Sequence, residues 1–228
     1  MIDDPRALAK SLTDDGWAIL PRLLSPDECR DMQATWGTPT LFRSEVNMAR
    51  HGFGRGVYRY FADPLPDAVQ ALRRDLYLPL AAIANRWADV LGTAQTYPPT
   101  HTEYRARCHA AGQTRPTPLL LRYGPGDWNA LHQDLYGEHV FPLQVAILLS
   151  EPERDFTGGE FVLTEQRPRM QSRAAVVPLR QGDAVVFPVR ERPVQGSKGP
   201  YRVQMRHGVS KLHRGERFTL GIIFHDAP

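Results

Sequence analysis

Two histidines, one aspartate and one arginine have the types and spacing for metal and carboxylate chemistry. His132 and Asp134 form a His-x-Asp pair, His207 lies further along the chain, and Arg217 follows His207 by ten residues. Two imidazoles with one carboxylate are the protein ligands of non-haem Fe(II) sites that keep coordination positions open. An arginine nearby would suit an anionic cosubstrate. These four residues therefore predict a reactive metal site rather than a structural one.

Alternation along a β-strand indicates how the first pair could meet. Side chains two residues apart on a strand share a face, so His132 and Asp134 can converge on one ion while Gln133 points away. A His-x-Asp pair also occurs on ordinary polar surface. The prediction therefore depends on His207 and Arg217 as well.

The apolar run at residues 217–224 separates into two faces by the same alternation. Arg217, Thr219 and Gly221 share one face, and Phe218, Leu220 and Ile222 share the other. A buried arginine without a partner is costly. An inward Arg217 therefore predicts an anionic ligand or a buried acid, and an ordinary salt-bridged arginine is the alternative.

Turn residues and short apolar segments predict a β-rich fold. The chain has 20 prolines and 18 glycines, which favour many turns. Several short strands separated by such turns are typical of a sandwich or barrel. The predicted strands are residues 119–123, 140–149, 159–163, 174–179, 184–189, 202–207 and 217–224.

Helical signals lie in the N-terminal half, after a short apolar strand at residues 17–20. Ser25 is an N-cap followed by Pro26 and two acids, which predicts a helix that runs towards Trp36. Apolar residues recur at helical spacing across residues 65–91. Pro79 is expected to split or kink that helix.

Residues 97–118 are expected to form a polar connection. This segment contains His101, Cys108 and His109, but no fourth ligand stands at a familiar metal-binding spacing. Core or surface roles are therefore expected for the three.

Length and cysteine content predict one domain in a reducing compartment. The 228 residues suit a single domain, 1–228, with N-terminal elements in 1–116 and a β-structured core in 117–228. Cys29 and Cys108 make neither a disulfide framework nor a zinc cluster, and we expect both to be buried or incidental. No apolar run suits a signal peptide or a membrane span, so we expect a soluble, cytoplasmic protein without membrane partners. The sequence does not indicate its oligomeric state.

Positive charge is concentrated in one block. Residues 167–217 carry twelve Lys and Arg against three Asp and Glu, a net +9 that leaves −6 for the rest of a chain whose formal charge is +3. Residues 50–60 interleave arginines with aromatics, including Arg55 and Tyr58. Such regions could hold phosphates and stack bases. A solvated arginine-rich face, and a twisted hairpin or mobile flap, are the alternatives.

The order His132-x-Asp134, His207, Arg217-x-Thr219 resembles the 2-oxoglutarate and Fe(II)-dependent dioxygenases, over residues 117–226. The resemblance implies a mainly β fold with bracing helices (α+β) and a double-stranded β-helix core of the jelly-roll or cupin type. It implies His132, Asp134 and His207 as the catalytic metal ligands. His213 is a rival for the second histidine, but His207 has the family's spacing.

The same resemblance implies the cofactors and their contacts. Fe(II), 2-oxoglutarate as cosubstrate, and O2 would oxidise a C–H bond, by hydroxylation or oxidative demethylation. Arg217 would hold the distal carboxylate of 2-oxoglutarate, and Thr219 and Tyr123 would be hydrogen-bonding helpers.

Two further resemblances concern the substrate. Residues 122–126, Arg-Tyr-Gly-Pro-Gly, resemble the AlkB-type nucleic-acid demethylases, although Leu121, Thr219 and Ile223 depart from that family's pattern. Residues 109–169 are similar to a bacterial oxygenase family described as acting oxidatively on damaged DNA. Family names are weaker clues to substrate than ligand motifs are to chemistry.

Three functions follow as hypotheses. The first is a dioxygenase for alkylated or damaged nucleic acid, and the second is a hydroxylase of a small metabolite or protein side chain. The third is a non-catalytic barrel that binds nucleic acid or a partner. The candidate substrate-contacting residues are Trp128, Gln133, Tyr136, Arg206, Arg55 and Tyr58.

Overall fold

The computed structural model describes residue 2 and residues 4–228, and in that part of the chain four α-helices brace a body of fifteen β-strands. The helices are α1 (Pro5–Asp14), α2 (Pro26–Ala34), α3 (Asp67–Val90) and α4 (His101–Ala110). The strands are β1 (Ala18–Leu20), β2 (Phe42–Asn47), β3 (Gly54–Arg55), β4 (Val57–Phe61), β5 (Leu119–Tyr123), β6 (Trp128–His132), β7 (Leu143–Leu148), β8 (Phe156–Gly158), β9 (Phe161–Gln166), β10 (Arg173–Val177), β11 (Ala184–Pro188), β12 (Glu191–Gly196), β13 (Gly199–Val209), β14 (Leu212–Gly215) and β15 (Arg217–Ile222). The prediction of a mainly β fold with bracing helices is confirmed.

Two antiparallel sheets form the barrel. The major sheet has the order β1-β11-β7-β15-β5-β4-β2, and the minor sheet has the order β10-β9-β13-β6-β3 with β12 paired to β13. Strands β5, β7, β11 and β15 of the second half belong to the major sheet, whereas β6, β9 and β13 belong to the minor sheet. This exchange of successive strands between two sheets is the double-stranded β-helix that was predicted.

The N-terminal segment contributes strands to the same major sheet. β1 pairs with β11, and β2 and β4 form a hairpin whose second strand pairs with β5. The hairpin covers part of residues 50–60, for which a hairpin or a flap was expected. Its connecting strand β3 pairs with β6 in the minor sheet. Residues 42–61 therefore bridge one open end of the two sheets.

Helix α2 begins at the predicted position. Ser25 accepts a hydrogen bond from the Glu28 backbone amide, and the Glu28 carboxylate accepts one from the Ser25 amide, which makes a capping box. Pro79 was expected to split or kink this helix, and α3 continues through the residue without a split. Proline removes the hydrogen bond to the Asp75 carbonyl, but Asp75 lies on the exposed face, where water can satisfy it.

The polar connection expected at residues 97–118 is wrong, because it contains α4. Thr100 and Glu103 form a second capping box at its start, a signal that is present in the sequence. His101 and Cys108 are buried, and His109 contacts the carboxylate of Asp226 at 2.9 Å. His101 and Cys108 therefore have core roles, one of the two roles expected, and His109 is partly exposed.

Apolar burial forms two clusters. Helix α3 packs Leu76, Leu80 and Ile83 into a cluster that includes Val145 and Leu220 of the major sheet. The second cluster lies between the sheets. The helices pack mainly against the outer face of the major sheet, so they do not fill the barrel interior.

A buried ion-pair network fixes the C-terminal segment against the helices. Arg73 of α3 donates to the Asp226 carboxylate at 2.6 Å and to the carbonyl oxygens of Ile223 and Phe224. Arg105 of α4 also contacts Asp226, at 3.1 Å. A buried pair of this kind is costly to break.

Within the described residues, no helix is long and apolar enough to cross a membrane.

Candidate active site

The two histidines meet because their strands are paired. His207 on β13 lies directly opposite His132 on β6 in the antiparallel register, and the ring centroids are 4.1 Å apart. Next to His207, a Cβ atom at Gly208 would lie 2.7 Å from the Asn129 carbonyl oxygen, so glycine permits the close approach of these strands. The sheet register therefore brings two distant sequence positions together.

Asp134 completes the cluster from just beyond the end of β6. Its carboxylate oxygens lie 3.4 Å from Nε2 of His132 and 3.4 Å from Nε2 of His207. One potential ligand atom from each residue lies within 4.8 Å of the others. Gln133 donates to the Met205 carbonyl at 2.8 Å. Because β6 ends at His132, strand alternation does not account for the position of Asp134.

The environment favours an ionised Asp134 and a neutral His207. Burial acts to lower the pKa of His132, but the hydrogen bond and charge of Asp134 raise it. Burial acts to raise the pKa of the Asp134 carboxyl, but hydrogen bonds and charge from His132 and His207 lower it well below its usual range. Burial, followed by repulsion from His132, lowers the pKa of His207. An ionised carboxylate and a neutral imidazole are the forms that bind metal ions.

Arg217 lies in the barrel interior as an unpaired buried cation. It is 1% exposed, and no carboxylate within the described residues forms an ion pair with it. Its Nη1 donates to Thr219 Oγ1 at 2.6 Å, whereas its Nε has no hydrogen-bond partner. Burial lowers the pKa of the guanidinium to about 10. A buried cation in this state is suited to an anion that enters from outside.

Tyr123 borders the same position. It lies opposite Arg217 in the β5–β15 register, and the guanidinium carbon is 5.6 Å from the centre of its ring. The Tyr123 hydroxyl is buried without a hydrogen-bond partner among the described residues. Within the described residues, each of the two residues therefore carries one buried polar group without a hydrogen-bond partner.

A single cavity joins the two groups of residues. It has a volume of about 430 Å³ and is lined by His132, Asp134, His207, Arg217 and Thr219. Most of its remaining lining is apolar or aromatic. Phe218, Leu220 and Ile222 belong instead to the cluster beneath the sheet, so the predicted faces of residues 217–222 are confirmed.

A family model described as "Oxygenase, catalysing oxidative methylation of damaged DNA" matches residues 56–227. The chain belongs to this oxygenase family. Two curated relatives, both uncharacterized proteins of Mycobacterium tuberculosis strains, are 53% identical over 225 residues, which cover 90% of this chain and 97% of each relative.

Solved structures of low sequence identity share the fold of this oxygenase. A 2OG-Fe(II) oxygenase-family protein from Burkholderia pseudomallei has a TM-score of 0.57 at 19% identity, covering 98% of this chain and 93% of that one. A Pseudomonas putida prolyl-4-hydroxylase has a TM-score of 0.53 at 18% identity and 96% coverage of both chains. A Trichoplax adhaerens prolyl hydroxylase has a TM-score of 0.59 at 14% identity, covering 97% and 89%. The predictions of an oxygenase and of the 2-oxoglutarate-oxygenase fold are confirmed, and the expected Fe(II), 2-oxoglutarate and O2 agree with them.

The candidate substrate residues of the oxygenase divide into two sets. Tyr58, Gln133 and Tyr136 line the cavity. Arg55, Trp128 and Arg206 are exposed and lie outside its lining, although Arg55 and Trp128 pair across β3 and β6 close to the opening. His213 is exposed and does not join the cluster of His132, Asp134 and His207.

Sequence reasoning missed two side chains that contact Asp134. Gln144 donates to one carboxylate oxygen at 2.9 Å, and Tyr136, expected to contact substrate, donates to the other at 3.0 Å. Tyr60 in turn contacts the Tyr136 hydroxyl at 3.1 Å. A signal for Gln144 was available, since it is a single amide within the apolar run at residues 140–149.

Proposed function

We propose that this chain is an Fe(II)- and 2-oxoglutarate-dependent oxygenase that oxidises a C–H bond of a damaged or alkylated nucleic-acid base. The supporting observation is one cavity lined by two imidazoles, a carboxylate and an unpaired buried arginine. His132, Asp134 and His207 would hold the metal. Arg217 would bind the distal carboxylate of 2-oxoglutarate, with Thr219 and Tyr123 beside it.

The residues present fit both groups. A facial set of two histidines and one carboxylate suits Fe(II) and leaves positions open, and Asp134 is held ionised. The buried Nε of Arg217 and the buried hydroxyl of Tyr123 lack partners that a carboxylate would supply. When bound, Fe(II) and 2-oxoglutarate supply oxidation by O2, with 2-oxoglutarate converted to succinate and carbon dioxide.

The chain's own residues position the reactants and exclude water. Arg217 and Thr219, already joined by a hydrogen bond, orient an anion without moving far from their present places. Phe161 and Phe187 lie beside His207, with ring centroids 6.0 and 4.7 Å from its imidazole. These apolar side chains keep water from the metal-facing side of the cavity and support selective oxidation of the bound substrate.

The rim of the cavity favours a nucleic-acid substrate. Phe53, Leu131 and Leu135 line the cavity and, with nearby Trp128, are between 40% and 50% exposed. The Phe53 carbonyl accepts a hydrogen bond from Ala130 at 2.9 Å, which fixes the 50–60 segment against β6. Exposed aromatic side chains at an opening can stack on unpaired bases.

Cations stand beside this rim. Exposed Arg55 pairs with Trp128 in the β3–β6 register. The Arg190 backbone is bonded to Gln133 and to Met205, so a second exposed arginine lies next to the cavity-lining Gln133. Phosphates would be held by such arginines, and binding would weaken as salt rises.

Succinate release tests the proposal. Purified protein with Fe(II), ascorbate and 2-oxoglutarate is assayed with alkylated and unmodified oligonucleotides, single- and double-stranded, and with panels of metabolites and peptides. We expect alkylated oligonucleotides to stimulate succinate release and to lose the alkyl group. If only a metabolite or peptide stimulated succinate release, the substrate would belong to that class and not to nucleic acids. If the protein bound neither metal nor 2-oxoglutarate, it would be a non-catalytic barrel.

A further inference from the structure

Gln144 is a buried amide in an otherwise apolar stretch of β7. The residues of β7 are all buried, and Gln144 itself is 4% exposed. Leu143, Val145 and Ile147 join the cluster beneath the major sheet, so Gln144 points to the opposite side, into the barrel. A buried amide is unfavourable unless its donors are used. Its contacts therefore indicate why it is there.

Both donated protons of Gln144 point at the cluster of His132, Asp134 and His207. Gln144 Nε2 lies 2.9 Å from Asp134 Oδ2 and 3.2 Å from His207 Nε2. Because Gln144 belongs to the major sheet and His207 to the minor sheet, this amide connects the two sheets at the metal-binding end of the cavity. Its own Oε1 is buried without a partner.

Tyr136 holds the other oxygen of the same carboxylate. Its hydroxyl donates to Asp134 Oδ1 at 3.0 Å, and Tyr60 contacts that hydroxyl at 3.1 Å. Asp134 lies beyond the end of β6, where no backbone ladder fixes its direction. The two side-chain donors therefore determine how this carboxylate is turned.

We propose that Gln144 and Tyr136 are positioning residues that hold Asp134 with one oxygen towards each histidine, so that the three ligands are assembled before metal arrives. Hydrogen bonds to a ligating carboxylate fix its orientation and strengthen metal binding. Gln144 contacts His207 at Nε2, the same nitrogen that faces Asp134 and that a metal would take, whereas the two bonds to Asp134 can persist. This inference rests on the proposed function, because it assigns Asp134 a metal to bind.

Anaerobic titration of the metal-free protein with Co(II), followed by visible absorption, tests the inference without turnover. We expect Gln144→Leu and Tyr136→Phe each to raise the Co(II) dissociation constant about 10- to 100-fold and to shift the absorption bands. Gln181→Leu is the matched control. Gln181 likewise donates a side-chain hydrogen bond to a buried oxygen, the Leu149 carbonyl at 2.8 Å, but it does not line the cavity. This control should leave Co(II) binding unchanged.

Melting temperatures measured in EDTA separate positioning from folding. We expect Gln144→Leu to lower the melting temperature no more than Gln181→Leu does. If Gln144→Leu lowers the melting temperature more than Gln181→Leu does, the Co(II) dissociation constant of Tyr136→Phe decides between positioning and folding, because Tyr136→Phe removes only one hydroxyl oxygen. Dissociation constants within twofold of the unmutated protein for both variants would overturn the inference and leave the proposed function standing. Failure of the unmutated protein to bind Co(II) would overturn both.

Discussion

His132 and His207 are direct partners across the antiparallel pair β6–β13, with their ring centroids 4.1 Å apart. Strand side chains alternate between faces, so a shift of one residue in this register would turn His207 out of the barrel. The metal-binding geometry therefore depends on strand pairing over the whole minor sheet.

Replacement of His207 should abolish metal binding, whereas replacement of the nearby His213 should leave it unchanged. We expect His207→Ala to eliminate Fe(II)-dependent 2-oxoglutarate turnover and detectable Co(II) binding, because two of three ligands would remain. His213→Ala is the matched control, since His213 is exposed and outside the cluster. Loss of Co(II) binding in the control and its retention in His207→Ala would reverse the assignment.

Arg217→Met should weaken cosubstrate binding and stabilise the cofactor-free protein. A lost hydrogen bond to a charged group is worth about 1.5–3 kcal/mol, so the 2-oxoglutarate dissociation constant should rise roughly 10- to 100-fold. The melting temperature without cofactors should rise, because a buried cation without an acidic partner is removed. Calorimetric titration and thermal denaturation measure the two effects.

Arg73→Met removes a buried arginine that, unlike Arg217, has an acidic partner. Arg73 is as buried as Arg217 but is paired with Asp226. We expect its loss to lower the free energy of unfolding by about 3 kcal/mol, because the Asp226 carboxylate stays buried with fewer partners. Equal stability changes in Arg73→Met and Arg217→Met, measured by urea denaturation, would show that Arg217 is not an unpaired cation.

Acid should destabilise the fold through two buried histidines. Burial, followed by repulsion from Arg73, lowers the pKa of His101 and of His225 from 6.5 to about 4. Between these values the unfolded chain takes up protons that the folded chain does not. Each histidine should therefore lower the free energy of unfolding by about 1.4 kcal/mol per unit as pH falls from 6.5 to 4.

His225→Asn checks this pH dependence. The Phe141 amide donates to Nδ1 of His225 at 3.2 Å, and an asparagine oxygen can accept in that place without titrating. Urea denaturation at several pH values should give a slope smaller by about 1.4 kcal/mol per pH unit than in the unmutated protein. An unchanged slope would assign the acid sensitivity to other groups.

The aromatic rim should contribute to nucleic-acid affinity. Stacking of one base on an aromatic side chain is worth about 1–3 kcal/mol, so Phe53→Ala and Trp128→Ala should each weaken binding of an alkylated single strand roughly 5- to 100-fold. Val176→Ala on β10, another exposed apolar position outside the cavity, is the control. Fluorescence anisotropy measures the affinity, and equal losses in all three variants would argue against stacking at the rim.

Capping residues in the sequence mark the starts of two helices. The N-cap at Ser25 marks the start of α2, and the equivalent pair Thr100 and Glu103 marks the start of α4, although residues 97–118 were predicted to be a connection. Pro79 was expected to split or kink α3, and packing of one face against the major sheet keeps it one helix. Tertiary packing outweighs one missing hydrogen bond here.

By itself, the sequence determined the type of fold, the identity of His132, Asp134, His207 and Arg217 as a group, and the faces of residues 217–222. The β-rich fold and the faces follow from turn residues and alternation, which are properties of the chain alone, whereas the grouping of the four residues also rests on a resemblance in motif order. Only the tertiary structure decided that Arg217 is buried without an acid and that Gln144 and Tyr136 hold Asp134. Those relations join residues from different strands across two sheets, and no local pattern encodes the register and packing that bring such residues within hydrogen-bonding distance.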